Sequence, residues 1–253
     1  MFNIAINTFK EIVRNKFLYL ILVFGFLFIV FSISLGKLTI GEDSKVITDF
    51  GIAMIEIFGL IGVLFVGSQL LFKEIEGKTI FLILSKPIKR YEFILGKFLG
   101  FSLIILLITL LQSFLYLGVL FFNGITIEGI IIMSLIFILF KLWILIALVL
   151  FLSTFMSNIL TIIVSILIYF TSHSFSLLLD LVNQAKILFL EVLVRLLQLL
   201  FPPFEALNTK DYIGSFSKFN TSFFIENTLY SILYLVLILF FTILIFNRKK
   251  FEN

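Results

Sequence analysis

Six separate runs of roughly 20 apolar residues, the length that crosses a hydrocarbon core, recur along this chain. They fall at about 17–36, 50–72, 98–122, 130–153, 159–182 and 228–246. Of the 253 residues, 61% are hydrophobic and 13% charged, with a mean hydropathy of +1.23. A soluble domain carries about twice that charged share, so this chain could not cover its own surface in water. The fold class expected is an all-α integral membrane protein with six transmembrane helices, forming one domain over 1–253. The first run follows Lys10, Arg14 and Lys16, as a signal peptide would. It is too long for one, and Gly36-Lys37-Leu38 is no small-residue cleavage site, so it is expected to be retained.

The basic residues set the orientation. With the N-terminus cytoplasmic, the inside collects Lys10, Arg14, Lys16, Lys73, Lys78, Lys86, Lys89, Arg90, Lys97, Arg248, Lys249 and Lys250, which is 12 of the 19 Lys and Arg. Lys37, Lys45, Lys186, Arg195, Lys210 and Lys218 fall outside, and Lys141 lies within a span. Both termini are therefore expected in the cytoplasm. The net charge of +4 and pI near 9.2 follow the membrane sides, so they do not mark a nucleic-acid surface.

The segment 186–200 is apolar but carries Lys186, Glu191, Arg195 and Gln198 in one helical stripe, Glu191 and Arg195 at the favourable i,i+4 spacing. It is about 15 residues long, too short to cross comfortably, and Pro202-Pro203 ends it. If it crossed, the basic C-terminal tail would lie outside. An outer amphipathic or re-entrant helix before the sixth span is the expectation.

Enzymatic chemistry finds little to work with. There is no cysteine, hence no disulfide, thiolate metal site or cysteine nucleophile. His173, the only histidine, sits in Tyr169-Phe170-Thr171-Ser172-His173-Ser174 late in the fifth span, and no G-x-S-x-G elbow occurs. It reads as a local hydrogen-bonding residue. Gly77-Lys78-Thr79 matches the end of a P-loop, but the glycine that motif requires five residues earlier is Phe72. No catalytic, cofactor or metal residue is expected, and any ATP must be handled by a partner.

Polar residues inside the spans are Glu56, Gln112 and Lys141. A lysine there costs about 2.5–3.5 kcal/mol on insertion scales. These residues either line a polar route or gate, or pair to hold the bundle together. Glu56 and Lys141 differ in expected depth by about 9 Å at 1.5 Å per residue, which a lysine stem only partly spans. Gly59, Gly62, Gly67 and the pair Gly96-x-x-x-Gly100 permit close helix approach.

The connection 73–97 between the second and third spans is too long and patterned for a turn. Ile75, Thr79, Ile80, Ile83 and Leu84 share one helical face. Ser85-Lys86-Pro87 breaks the pattern, and a second amphipathic stretch runs from Arg90 to Lys97. Such a segment either lies on anionic lipid or docks into a cytoplasmic partner.

Leu71-Phe72-Lys73-Glu74-Ile75-Glu76-Gly77-Lys78-Thr79, Leu84-Ser85-Lys86-Pro87-Ile88-Lys89-Arg90 and Glu92-Phe93-Ile94-Leu95-Gly96-Lys97 resemble the second-span and coupling-loop region of ABC-2 type permeases. They are similar in particular to the permeases of nitrous-oxide-reductase maturation, the copper-processing type. Phe201-Pro202-Pro203-Phe204-Glu205-Ala206-Leu207-Asn208 resembles that family's Pro-Phe-Glu region. The resemblance is motif-specific over about 71–100 and 201–208 and extends in layout over nearly the whole chain.

It implies the permease subunit of an export-class ABC transporter in the cell membrane. The partners would be two copies of a separate ATPase and a second permease, identical or paralogous, with no cofactor. The coupling residues implied are Glu74, Glu76, Thr79, Ile80, Ile83, Pro87 and Arg90. Copper itself is not implied: one His, four Met and no Cys give no dedicated metal path. The rival expectation, an ATP-independent secondary transporter or channel, would favour ionisable residues facing one cavity at mid-membrane. Only Glu56 and Lys141 hint at that.

Overall fold

A computed structural model describes residues 1–39, 41–77, 89–209 and 221–249. Among these, every regular element is helical. The helices are α1 (Phe2–Val13), α2 (Lys16–Leu38), α3 (Asp43–Glu76), α4 (Arg90–Phe122), α5 (Gly129–Ser153), α6 (Asn158–His173), α7 (Phe175–Ala185), α8 (Leu188–Leu200) and α9 (Thr221–Arg248). Five of them, α2, α3, α4, α5 and α9, are long and apolar enough to cross a membrane. The pair α6–α7 makes a sixth span if its two pieces count as one.

The most apolar helix is also the central one. Two thirds (67%) of the most apolar window of α5 is buried, against 28% in α2 and in α9, which present most of their surface outward. Glycines on α3 let its neighbours approach closely. The ring of Tyr116 lies over Gly51, Leu142 over Gly59, and Phe101 with Val149 over Gly67. At Gly62 the nearest side-chain atoms leave ordinary van der Waals space, so that glycine is not needed for packing.

Three boundaries differ from those expected from hydropathy. Within the connection 73–97, Lys73–Glu76 is the last turn of the 34-residue α3 and Arg90–Lys97 begins the 33-residue α4. No proline or glycine pair interrupts either helix there, so the hydrogen-bond ladder simply runs past the end of the apolar run. The stretch 159–182 is not one straight span: α6 and α7 meet at Ser174 with a bend of 52°. At 16 residues α6 is about 24 Å long, short of the roughly 30 Å core.

The third difference is α1, which hydropathy did not reveal. Ala5, Thr8 and Ile12 form a buried i, i+3, i+7 stripe that packs on α4. A Cβ on Gly96 would meet Ile4 at 2.7 Å, and one on Gly100 would meet the Ala5 carbonyl at 2.5 Å. The Gly96-x-x-x-Gly100 pair therefore receives a surface helix, not another span. Asn15 then turns the chain, its side-chain oxygen accepting from the Phe17 N–H at 3.0 Å to cap α2. The C-terminal end of α9 also reaches the start of α4, so both ends of the described chain meet at one end of the bundle.

The segment 186–200 forms a helix, α8, with no buried residue, and Arg195 pairs with Glu191 at 2.9 Å as their spacing suggested. Its last carbonyl, at Leu200, accepts from the Tyr234 hydroxyl at 2.7 Å. Tyr234 is halfway along α9, so the end of α8 lies against the middle of that helix.

Gly100→Ala is expected to destabilise the protein by about 1–3 kcal/mol, because backbone at Ala5 blocks the new methyl. Gly118→Ala, which meets nothing within 4 Å, should leave the thermal midpoint of the detergent-purified protein unchanged or slightly raised. Equal midpoints for the two variants would show that α1 is not seated on α4.

Candidate functional site

Glu56 lies thirteen residues beyond the start of α3 and Lys141 twelve beyond the start of α5. α3 and α5 run parallel, as the contacts Gly59–Leu142 and Gly67–Val149 further along both helices show, so the two residues lie level, and the Lys141 ammonium donates to Glu56 Oε1 at 2.8 Å. The 9 Å offset expected from sequence was an error of origin: depth was counted from the apolar run, whereas α3 begins at Asp43. Lys141 is 1% exposed and Glu56 4%, so the pair is held away from lipid.

α6 supplies two more members on one face. The Tyr169 hydroxyl donates to the same Glu56 oxygen at 2.6 Å. One turn on, His173 places Nδ1 3.0 Å from the Tyr169 carbonyl and Nε2 3.3 Å from the Lys141 ammonium. A carbonyl only accepts and an ammonium only donates. The Nδ1–H tautomer of a neutral imidazole satisfies both contacts. His173 was read as a local hydrogen-bonding residue, and it also bonds across to α5. The i,i+4 spacing of Tyr169 and His173 was the available sign that both face the same neighbours.

Phe204, from the Pro-Phe-Glu region, closes the cluster. Its buried ring stacks on His173 (5.9 Å, 20°) and tilts against Tyr169 (5.2 Å). The adjacent Glu205 accepts from the Ser176 N–H with both oxygens, at 2.9 and 3.0 Å. A carboxylate at a helix N-terminus satisfies otherwise unpaired donors and the helix dipole, here on α7 just past the bend. Gln112 stands apart. Its amide rests against Gly25 of α2, and neither of its polar atoms has a hydrogen-bond partner among the described residues.

The second group lies where both ends of the chain converge. Buried Lys97 of α4 pairs with Glu74 of α3 at 2.6 Å and Glu11 of α1 at 3.2 Å. Arg90 donates to the carbonyls of Phe246, Asn247 and Lys249 at 2.9–3.1 Å, capping α9. Phe93 stacks on Phe246 beneath it at 5.6 Å. Glu76 is exposed in the last turn of α3. Thr79, Ile80, Ile83 and Pro87 lie outside the described residues. Sequence reasoning missed Glu11 as a partner of Lys97 because it missed α1; the Ala5, Thr8, Ile12 stripe was the signal.

Among the described residues, no group of three or more His, Cys, Asp or Glu is arranged to hold a metal ion. What the geometry provides is a set of long apolar helices locked by buried polar contacts, the build of a multi-pass membrane protein. The chain belongs to the ABC-2 family of transporter proteins, whose sequence model matches residues 2–251. It is accordingly a transmembrane permease component of an ABC transporter. No curated protein matches it.

Lys141→Leu is expected to cost about 3–5 kcal/mol, because Glu56 is left as an uncompensated buried charge. Glu56→Leu with Lys141→Leu should recover most of that loss, and Tyr169→Phe alone should cost about 1.5–3 kcal/mol. Thermal unfolding of these proteins and of Glu56→Leu alone checks this; additive losses in the double variant would contradict the pairing.

Proposed function

We propose that the chain is the permease of an export-class ABC transporter in the cell membrane, moved by a separate ATPase that docks on the cytoplasmic connection between α3 and α4. The observation that carries this is the convergence on that connection. Lys97 joins the start of α4 to the end of α3 and to α1, and Arg90 joins it to the end of α9. A displacement of the connection is thereby passed to three spanning helices at once. The family's membrane subunits work with an ABC ATPase, and this chain's Gly77-Lys78-Thr79 lacks the glycine a P-loop needs at Phe72.

Glu74 and Arg90 transmit motion through these internal contacts, while Glu76, Thr79, Ile80, Ile83 and Pro87 meet the ATPase. The full transporter contains two ATPases and two permeases, the second identical or paralogous. Both termini are cytoplasmic. The likeness to the nitrous-oxide-reductase maturation permeases, over 71–100 and 201–208, favours that branch of the family for its architecture. It assigns no copper site to this chain. Glu56, Lys141, Tyr169 and His173 fasten α6 to α3 and α5, so that closure at the cytoplasmic end reaches the α7–α8 hairpin through Phe204.

The test is copurification with a candidate ABC ATPase coexpressed with the chain. Ile80→Glu with Ile83→Glu should release the ATPase while the permease still inserts. Lys97→Leu should retain it but lower substrate-stimulated ATP hydrolysis at least tenfold. Retention and stimulation at the unmodified level in the Ile80/Ile83 variant would remove this segment as the docking element.

A further inference from the structure

A groove of about 530 Å³ lies between the α1–α2 elbow and the last turns of α3. Arg14, Lys16 and Lys73 converge on it. None of the three side chains makes an ion pair or hydrogen bond among the described residues. The one acid on its wall, Glu11, is already engaged by Lys97, which also holds Glu74. Three positive charges therefore face the groove without compensation.

Its floor has the opposite character. The rings of Phe17 and Phe65 meet there at 5.4 Å, and Phe65 remains 43% exposed. Leu20 and Phe24, at i+3 and i+7 from Phe17, carry the same stripe up the exposed face of α2. The cations thus sit at the ends of spanning helices, at headgroup level, and an apolar track leads from them into the membrane region. We propose that this groove binds an anionic phospholipid, its phosphate held by Arg14, Lys16 and Lys73 and an acyl chain laid over Phe17 and Phe65. A free phosphate would use the cations but leave the aromatic track uncovered. Such a lipid would bridge α1, α2 and α3 beside the Lys97 contacts, so its occupancy would set how firmly the elbow is held. The inference rests on the membrane-spanning character of the chain and not on the docking of an ATPase.

The experiment uses the full chain in nanodiscs of phosphatidylcholine with increasing phosphatidylglycerol, followed by native mass spectrometry of retained lipid. The unmodified protein should retain phosphatidylglycerol preferentially. Arg14→Gln with Lys16→Gln and Lys73→Gln should weaken that retention roughly a hundredfold, since each basic residue near an anionic surface contributes several-fold. Lys10→Gln with Lys37→Gln and Lys45→Gln removes the same charge elsewhere and should retain lipid normally. Arg14→Lys with Lys73→Arg keeps the charge and should retain it as well. If the triple groove variant does not fold, Lys73→Gln alone, at an exposed position, should show a loss of about fivefold. Retention by the groove variants equal to that of the unmodified protein would overturn the site. Displacement of the lipid by equimolar inorganic phosphate would overturn its assignment to a phospholipid.

Discussion

A lysine cannot face hydrocarbon at the middle of a spanning helix without a partner, and in this chain Lys141 finds Glu56. The ion pair constrains the rest. It requires α3 and α5 to run level, and it gives Glu56 Oε1 a second donor in Tyr169, which draws in α6. It also gives His173 an ammonium to accept from, and Phe204 a flat surface to stack upon. The α7–α8 hairpin is positioned in turn by Phe204 and by the Glu205 cap on α7. Buried pairs of this kind contribute little net stability, but breaking one is expensive. Their effect is to make a single register of helices strongly preferred.

The same logic is repeated at the end of the bundle where the termini meet. Lys97 is buried between two carboxylates from different helices, and Arg90 caps a third helix. Between these polar clusters the helices are joined by apolar packing and close approaches at glycine, which contribute contact without direction. In the proposed permease, this division suits a machine driven from one end. The helix ends are tied together so that they move as one body, and the mid-membrane pair relays the movement to α6 and the hairpin.

Much of this was legible in the sequence because the bilayer leaves few alternatives: a backbone that must satisfy its own hydrogen bonds there forms helices. The apolar runs located every spanning helix, and the polar residues Glu56 and Lys141 were visible as exceptions. Their contact was not visible, because hydropathy marks where a helix becomes apolar and not where it begins; α3 starts seven residues before its apolar run does. The bend at Ser174 was hidden for a related reason: both halves of the span are apolar, and no proline marks the break. The N-terminal helix α1 was missed because a 12-residue amphipathic element carries no length signal, although its stripe and the waiting Gly96 and Gly100 were both in view. Arg90, one of the coupling residues the resemblance implied, donates to the last carbonyls of α9, a contact the sequence did not show. Exposure cannot be read from charge alone when helix ends supply acceptors.

The central claim is that six crossings return both termini to the cytoplasm, with the α3–α4 connection between them on the same side. The chain has no native cysteine, so single cysteines can be labelled without background. In intact cells an impermeant thiol reagent should modify Asp43→Cys and Ile125→Cys. It should leave Ile88→Cys and Lys250→Cys untouched until the membrane is opened. Labelling of Lys250→Cys from outside an intact cell would mean an odd number of crossings and would contradict the account.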